Sequence, residues 1–231
     1  MRPDTAFEPV PDPRPADTAW PEMVWPVPAD TRLTGETVTL TAFDPARDAA
    51  DLFAALDSDA VWQHLPWRPA DAAEFGQYVR ELTAAGDWHV WIVRSRTALG
   101  DRAAGSVLGL TCYLDARRRD ASLEIGFTAY TPSVWGSAVN PDAKLLVLSY
   151  AFETLRVGRV QLKTDVRNHR SQQAIARLGA HYEGTLRRHF RRGDGTVRDS
   201  VLFSITAEDW PRVRAQLEDR LRAVGHGMTG R

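Results

Sequence analysis

Apolar and polar residues alternate over TVTLTAF (37–43), the period of a strand with one buried face. The pattern then switches. DPARDAADLFAALD (44–57) spaces its apolar residues at helical intervals, with Asp44 placed to cap and Pro45 at the first helical position. A connector rich in aromatic residues, VWQHLPW (61–67), leads to a second helical pattern in PADAAEFGQYVRELTAAG (69–86). Three strand patterns follow, WHVWIVR (88–94), GSVLGLTCYL (105–114) and ASLEIGFTAY (121–130), and then the loop TPSVWG (131–136).

Asn140 and Pro141 read as the cap and first position of a helix that runs to about Leu155. Its segment Leu145 to Leu148 is apolar nearly all round, as for a helix pressed onto a sheet. GRVQLKTD (158–165) is the next strand, and Asn168 to Leu178 the next helix, with Gly179 at the favoured C-terminal position. Two long strands flank the turn GDGT (193–196) as a hairpin, and AEDWPRVRAQLEDRLRA (207–223) makes a final amphipathic helix. The order β-α-α-β-β-β-α-β-α-β-β predicts an α/β fold with a largely antiparallel sheet of about seven strands. Residues 1–36 hold eight of the 14 prolines and read as an extension, 37–222 as the domain and 223–231 as a flexible tail. Trp20 and Trp25 in WPEMVWPVP suggest that the extension packs along the domain or on a partner chain, which makes a homodimer an option.

Composition narrows the function classes. One cysteine, Cys112, excludes an internal disulfide and a cysteine-based zinc cluster, so a reducing, cytoplasmic setting without a metal is expected. MRPDTAFEPV lacks the continuous apolar core of a secretory leader, and no apolar run of 18 residues exists for a membrane span. The net charge of −1 hides an asymmetry. Residues 1–155 carry 13 basic and 22 acidic side chains, whereas 156–198 carry 11 basic and 3 acidic. Such a patch suits an anionic ligand, polyphosphate or nucleic acid, although solvated arginines on exposed strands give the same count. No groove-reading motif favours nucleic acid. Only two of the 29 basic residues are lysines, and one of them, Lys144, falls near the start of a helix, where a cation opposes the dipole by roughly 0.3–1 kcal/mol.

The element order resembles the GNAT acyl-CoA-dependent N-acyltransferases, specifically the RimJ/RimL-like branch. The residues that carry the resemblance are GRVQLKTDVRNHRSQQAIARLGAHYEGTLRRH (158–189), with its Asn-x-x-Ser helix, ARLGA and EGTLR, and NPDAKLLVLSYAFETL (140–155) before it. The resemblance implies a splayed sheet that holds acyl-CoA, most directly acetyl-CoA, between LEIGFTAY and RVQLKTD, with Phe127 and Arg170 among the contacts. It also implies a pyrophosphate at the helix start led by Asn140. Gly136, Ser137 and Ala138 fit the second half of the superfamily's phosphate loop, but Ser133 stands where Gln or Arg is usual. Free amides at a helix start attract phosphate, and the Lys144 ammonium there would add to that attraction. The alternative, that Lys144 pairs with Asp142 or reaches out to solvent, is the weaker reading.

Asn168 is both an ordinary cap and the match of a pantetheine-binding residue. The resemblance makes Ser171 the general acid that returns a proton to the CoA thiolate, although a first-turn serine is also commonplace. Glu124, on the opposite face from Leu123, Ile125 and Phe127, is the first candidate base, and His189 the second. Gly126 marks a bulge or a close backbone approach. Trp62, His64 and Trp67 border the acceptor pocket or anchor the first two helices. The implied activity is direct acyl transfer to a primary amine, with a non-catalytic acyl-CoA-binding sensor as the alternative. Cys112 lies in a strand without a basic motif beside it, which disfavours a cysteine intermediate.

Overall fold

The computed structural model describes residues 8–12, 19–65 and 67–228, without the side chains of 224–228. Residues 1–7 and 13–18 of the expected N-terminal extension, Pro66 and the end of the tail therefore lie outside the described residues. The strands are β1 (Arg32–Thr34), β2 (Val38–Ala42), β3 (His89–Ser95), β4 (Val107–Arg117), β5 (Ser122–Tyr130), β6 (Arg159–Asp165), β7 (His181–Arg191) and β8 (Val197–Thr206). The helices are α1 (Pro45–Leu56), α2 (Asp59–Trp62), α3 (Ala72–Ala84), α4 (Val139–Ser149), α5 (His169–Ala176) and α6 (Trp210–Met228). One sheet contains all eight strands in the order β1-β2-β3-β4-β5-β6-β8-β7, antiparallel throughout except for β5 and β6. This is the GNAT fold.

The local signals act as their chemistry requires. Asp44 accepts a hydrogen bond from the Ala46 amide at 2.9 Å ahead of α1, and Asp71 accepts from the Glu74 amide at 2.8 Å ahead of α3. Asn168 accepts from the Ser171 amide at 3.0 Å, and Gly179 takes φ +87° after α5. Alternation along the strands sorts the core onto two faces. Leu123, Ile125, Val160 and Leu162 pack against Val139, Ala143 and Val147 of α4, while Ile92, Leu110 and Cys112 pack against Leu52 of α1 and Phe75 and Val79 of α3.

Three expectations shift. The domain begins before residue 37: Met23, Trp25 and Val27 are buried, Trp25 Nε1 donates to Gly86 O at 2.7 Å, and Arg32–Thr34 adds an eighth strand. These apolar side chains alternate with exposed Val24, so the stretch is patterned for burial despite its prolines. At the other end, α6 continues past residue 222 to Met228. Helix α4 starts at Val139 rather than after Asn140. Ser137 Oγ accepts from the Val139 amide at 3.2 Å and so takes the capping role, and Pro141 sits at the third helical position, where its missing N–H costs nothing.

Candidate active site

Strands β5 and β6 pair only through Ser122, Leu123 and Glu124 with Arg159, Val160 and Gln161, and then diverge. The remaining lengths of both strands face an opening with no ladder between them. A bulge in β5 borders it. Leu110 pairs with Ala129 and Cys112 with Gly126, so Phe127 and Thr128 together oppose Thr111, and Phe127 takes φ +44°. The bulge reverses the expected side of Phe127. Leu123 and Ile125 belong to the core beneath α4, but Phe127 packs on the other face, 6.4 Å from Tyr78, whose ring is 4.4 Å from Trp67. Glycine is favoured at position 126, because a Cβ would lie 2.7 Å from Leu114 Cδ1 and 2.8 Å from Glu124 Oε1.

Lys144 does not stand at the helix start facing solvent. It is 5% exposed, and its Nζ donates to Thr111 Oγ1 at 3.0 Å and Thr128 Oγ1 at 2.8 Å, directly beneath the bulge. The two hydroxyls are 2.7 Å apart. With no carboxylate partner, burial lowers its pKa to about 7. Asp142 is likewise taken. Its carboxylate accepts from the amides of Glu36, Thr37 and Val38 at 3.4, 2.6 and 2.9 Å and closes the β1–β2 turn. Neither the phosphate role of Lys144 nor its pairing with Asp142 fits these positions: two residues apart on a helix covered on both sides, Asp142 turns to the β1–β2 turn and Lys144 to the β4–β5 bulge.

The loop before α4 still presents donors. The amides of Gly136, Ala138 and Asn140 have no acceptor among the described residues, and Gly136 takes φ +76°. Where Ser133 replaces the usual Gln or Arg, Arg102 from the β3–β4 loop supplies a guanidinium in space: Nε donates to Ser133 Oγ at 3.2 Å and Nη2 to Thr131 Oγ1 at 3.1 Å. Nothing local in the sequence links Arg102 to this loop. Arg170, beside Ser171 at the start of α5, lays its guanidinium 3.6 Å from the centre of the Trp135 ring and ties the two loops across the opening.

On the far wall, Glu124 is 3% exposed; Lys163 Nζ lies 2.6 Å from Oε2, and Gln161 Nε2 donates to the same oxygen at 3.1 Å. Burial raises its pKa, while the Lys163 charge and the hydrogen bonds pull it back. His189 follows a bulge in β7. Its Nδ1 is buried without a partner among the described residues, and burial lowers its pKa, aided by Lys163 and Arg198. Trp62 is a core residue rather than a pocket residue: it is 7% exposed, donates from Nε1 to Leu56 O at 2.9 Å and packs edge-on against Phe75. His64 and Trp67 are half-buried, and the Trp67 ring lies 4.4 Å from that of Tyr78. Arg192 leaves solvent for a two-pronged bond to Asp165 at 2.6 and 2.8 Å. Cys112 is fully buried, and burial pushes its thiol up.

The sequence model of the Acetyltransferase (GNAT) domain matches residues 37–181. The chain therefore belongs to the GNAT acetyltransferase family and is an N-acetyltransferase. Among solved structures, a T. thermophilus protein assigned to the acetyltransferases is 34% identical, with TM-score 0.72 over 86% of this chain and 100% of that one. A GNAT-family protein of Chromobacterium violaceum ATCC 12472 is 28% identical, with TM-score 0.77 over 89% and 100%. RimJ of Mycobacterium smegmatis in complex with CoA-disulfide shares the fold at 21% identity, TM-score 0.68, over 87% and 97%. No curated protein matches the sequence.

Proposed function

We propose that this protein carries an acetyl group from acetyl-CoA, bound in the β5–β6 opening, directly to a primary amine that approaches from the Glu124 wall. One observation carries the reading: the two strands part after three paired residues, at a bulge, and the free amides of Gly136, Ala138 and Asn140 lie beyond it. Those amides suit the pyrophosphate. Arg102 supplies the cationic side chain that Ser133 lacks, and Asn168 faces the pantetheine arm.

The amine nitrogen attacks the thioester carbon while backbone N–H groups of the bulge polarise the carbonyl oxygen. Lys144 braces the bulge from below and adds positive potential there. As the tetrahedral adduct collapses, the C–S bond breaks and the CoA sulfur takes the Ser171 hydroxyl proton while that hydroxyl takes one from solvent water. The proton lost by the amine passes to Glu124, directly or through one water. Trp67, Tyr78 and Phe127 form the aromatic border of the acceptor side.

The test is thiol release from acetyl-CoA with a panel of amines, run on the native protein, Ser171→Ala and Glu124→Gln. Turnover that collapses in both variants supports the proposal. Calorimetric binding of CoA without thiol release from any amine would identify a sensor instead.

A further inference from the structure

The acceptor wall holds one cation that the chemistry above does not use. Along β6 and β8 the paired residues Lys163 and Leu202, then Asp165 and Ser200, share the face opposite the α4 core, and Arg198 pairs with Phe190 at its end. Both carboxylates on this face already have a cationic partner. Glu124 is held by Lys163 and Gln161, and Asp165 by two bonds from Arg192 and one from the Arg167 amide at 2.9 Å. Arg198 has no carboxylate within 4 Å among the described residues. Its single hydrogen bond runs from Nε to Ser200 Oγ at 3.1 Å, which leaves both terminal nitrogens unengaged.

Arg198 is nevertheless half-buried, 5.4 Å from the centre of the Phe190 ring, with Lys163 Nζ 5.3 Å from the same ring. Across the opening, His64 feels one acid, Asp165, and three arginines, Arg170, Arg192 and Arg198; burial first, and then those arginines, lower its pKa against the pull of Asp165. Arg170 is occupied by Trp135. One desolvated guanidinium fork thus faces the acceptor side with no ion pair of its own among the described residues; Asp165 and Glu124 attract it only from beyond contact, and both already have a cationic partner. A partly buried charge left in this state costs free energy that a bound anion recovers. A planar carboxylate matches the two free nitrogens. With Lys163 and Arg192 already neutralised, a single negative charge suits this wall better than a phosphate dianion.

We propose that Arg198 reads a carboxylate on the molecule that occupies the acceptor side of the opening. The inference rests on the acyl-transfer reading for its setting. Two sources share this chemistry: the carboxylate of an amino-acid-like acceptor whose amine lies at Glu124, or the distal carboxylate of a dicarboxylic acyl group on CoA. In either case the group is bound and not transformed.

The experiment uses pairs of ligands that differ in the carboxylate alone. Donor affinity is measured by calorimetry for succinyl-CoA and butyryl-CoA. Acceptor affinity is measured in the presence of CoA for a panel of α-amino acids and their carboxamides. Both are run on the native protein, Arg198→Gln and Arg198→Lys, with circular dichroism to confirm folding. A charge-assisted bidentate contact predicts that the carboxylate member binds about tenfold or more tightly in one of the two sets. That preference disappears in Arg198→Gln and weakens in Arg198→Lys, which keeps the charge but loses the fork. The set that discriminates names the source. Equal binding in both sets overturns the proposal, as does a preference that survives in Arg198→Gln. If the Gln variant does not fold, a preference unchanged in Arg198→Lys overturns it. Thiol release in the same samples is scored separately, so a carboxylate preference without turnover would sink the acyl-transfer reading and leave this one standing.

Discussion

Replacing Lys144 by Met should make the protein more stable and slower. The ammonium is enclosed by the bulge and α4, with two threonine hydroxyls as hydrogen-bond partners and no anion. Burial takes its pKa from the ordinary 10.5 to about 7. The unfolded chain therefore holds the proton more tightly than the native state between those values, and stability rises with pH across that window. Linkage puts the cost of carrying Lys144 at about 4 kcal/mol at pH 7, falling to about 2 kcal/mol at pH 9. Met has similar volume and no charge. Its introduction forfeits two hydrogen bonds worth about 1 kcal/mol each, but Thr111 and Thr128 keep one another at 2.7 Å. The net gain is about 2 kcal/mol at pH 7, or roughly 4–8 °C in Tm for a chain of this size, and close to zero at pH 9. Urea denaturation of both proteins at the two pH values checks it. A Met variant that is less stable at pH 7, or a gap that does not change with pH, refutes the electrostatic reasoning. The same variant should turn over more slowly at saturating substrates, because the bulge loses its brace; an unchanged kcat would remove Lys144 from the mechanism.

Glu124→Gln should lower kcat by about 10²–10⁴-fold, the usual contribution of a positioned base. In the native enzyme kcat/KM should fall with decreasing pH as Glu124 protonates, at a pH above the ordinary carboxylate value of 4.5 because burial raises its pKa. The Gln variant should lack that acid limb in a pH–rate profile. Arg102→Ala should raise KM for acetyl-CoA about tenfold and leave kcat unchanged in steady-state kinetics, the pattern of a lost ground-state phosphate contact. Asp142→Ala strands three amides of the β1–β2 turn and should cost about 3 kcal/mol or more in urea denaturation; a loss under about 1 kcal/mol would show that the turn holds without it.

Elements with strong local chemistry were legible in the chain. Asp44, Asp71, Asn168 and Gly179 act where turn and cap preferences place them, and the alternation through ASLEIGFTAY and RVQLKTD gave the two strands that later part. The lone buried Cys112 was foreseeable too. At the start of α4 two local signals compete: Ser137, held by its own bond to Val134 O at 2.6 Å, accepts from the Val139 amide, so the helix begins one residue before Asn140. Elsewhere a neighbour distant in sequence settled the outcome. Phe127 broke the alternation because Thr111, on another strand, is opposed by two residues.

Periodicity and capping depend on residues within a turn or a strand of one another, so the amino-acid order is enough to specify them. The environment of a charge depends on what packs against it from elsewhere. Lys144 reads along the chain as a cation at a helix start that would meet a phosphate, and becomes a desolvated core residue only when β4 and β5 meet α4. Arg102 comes to the loop before α4, and Arg198 is left without an ion pair among the described residues, through the packing of segments tens of residues apart. Element order and family were written in short-range pattern; the protonation, pairing and exposure of the reacting groups came from long-range packing.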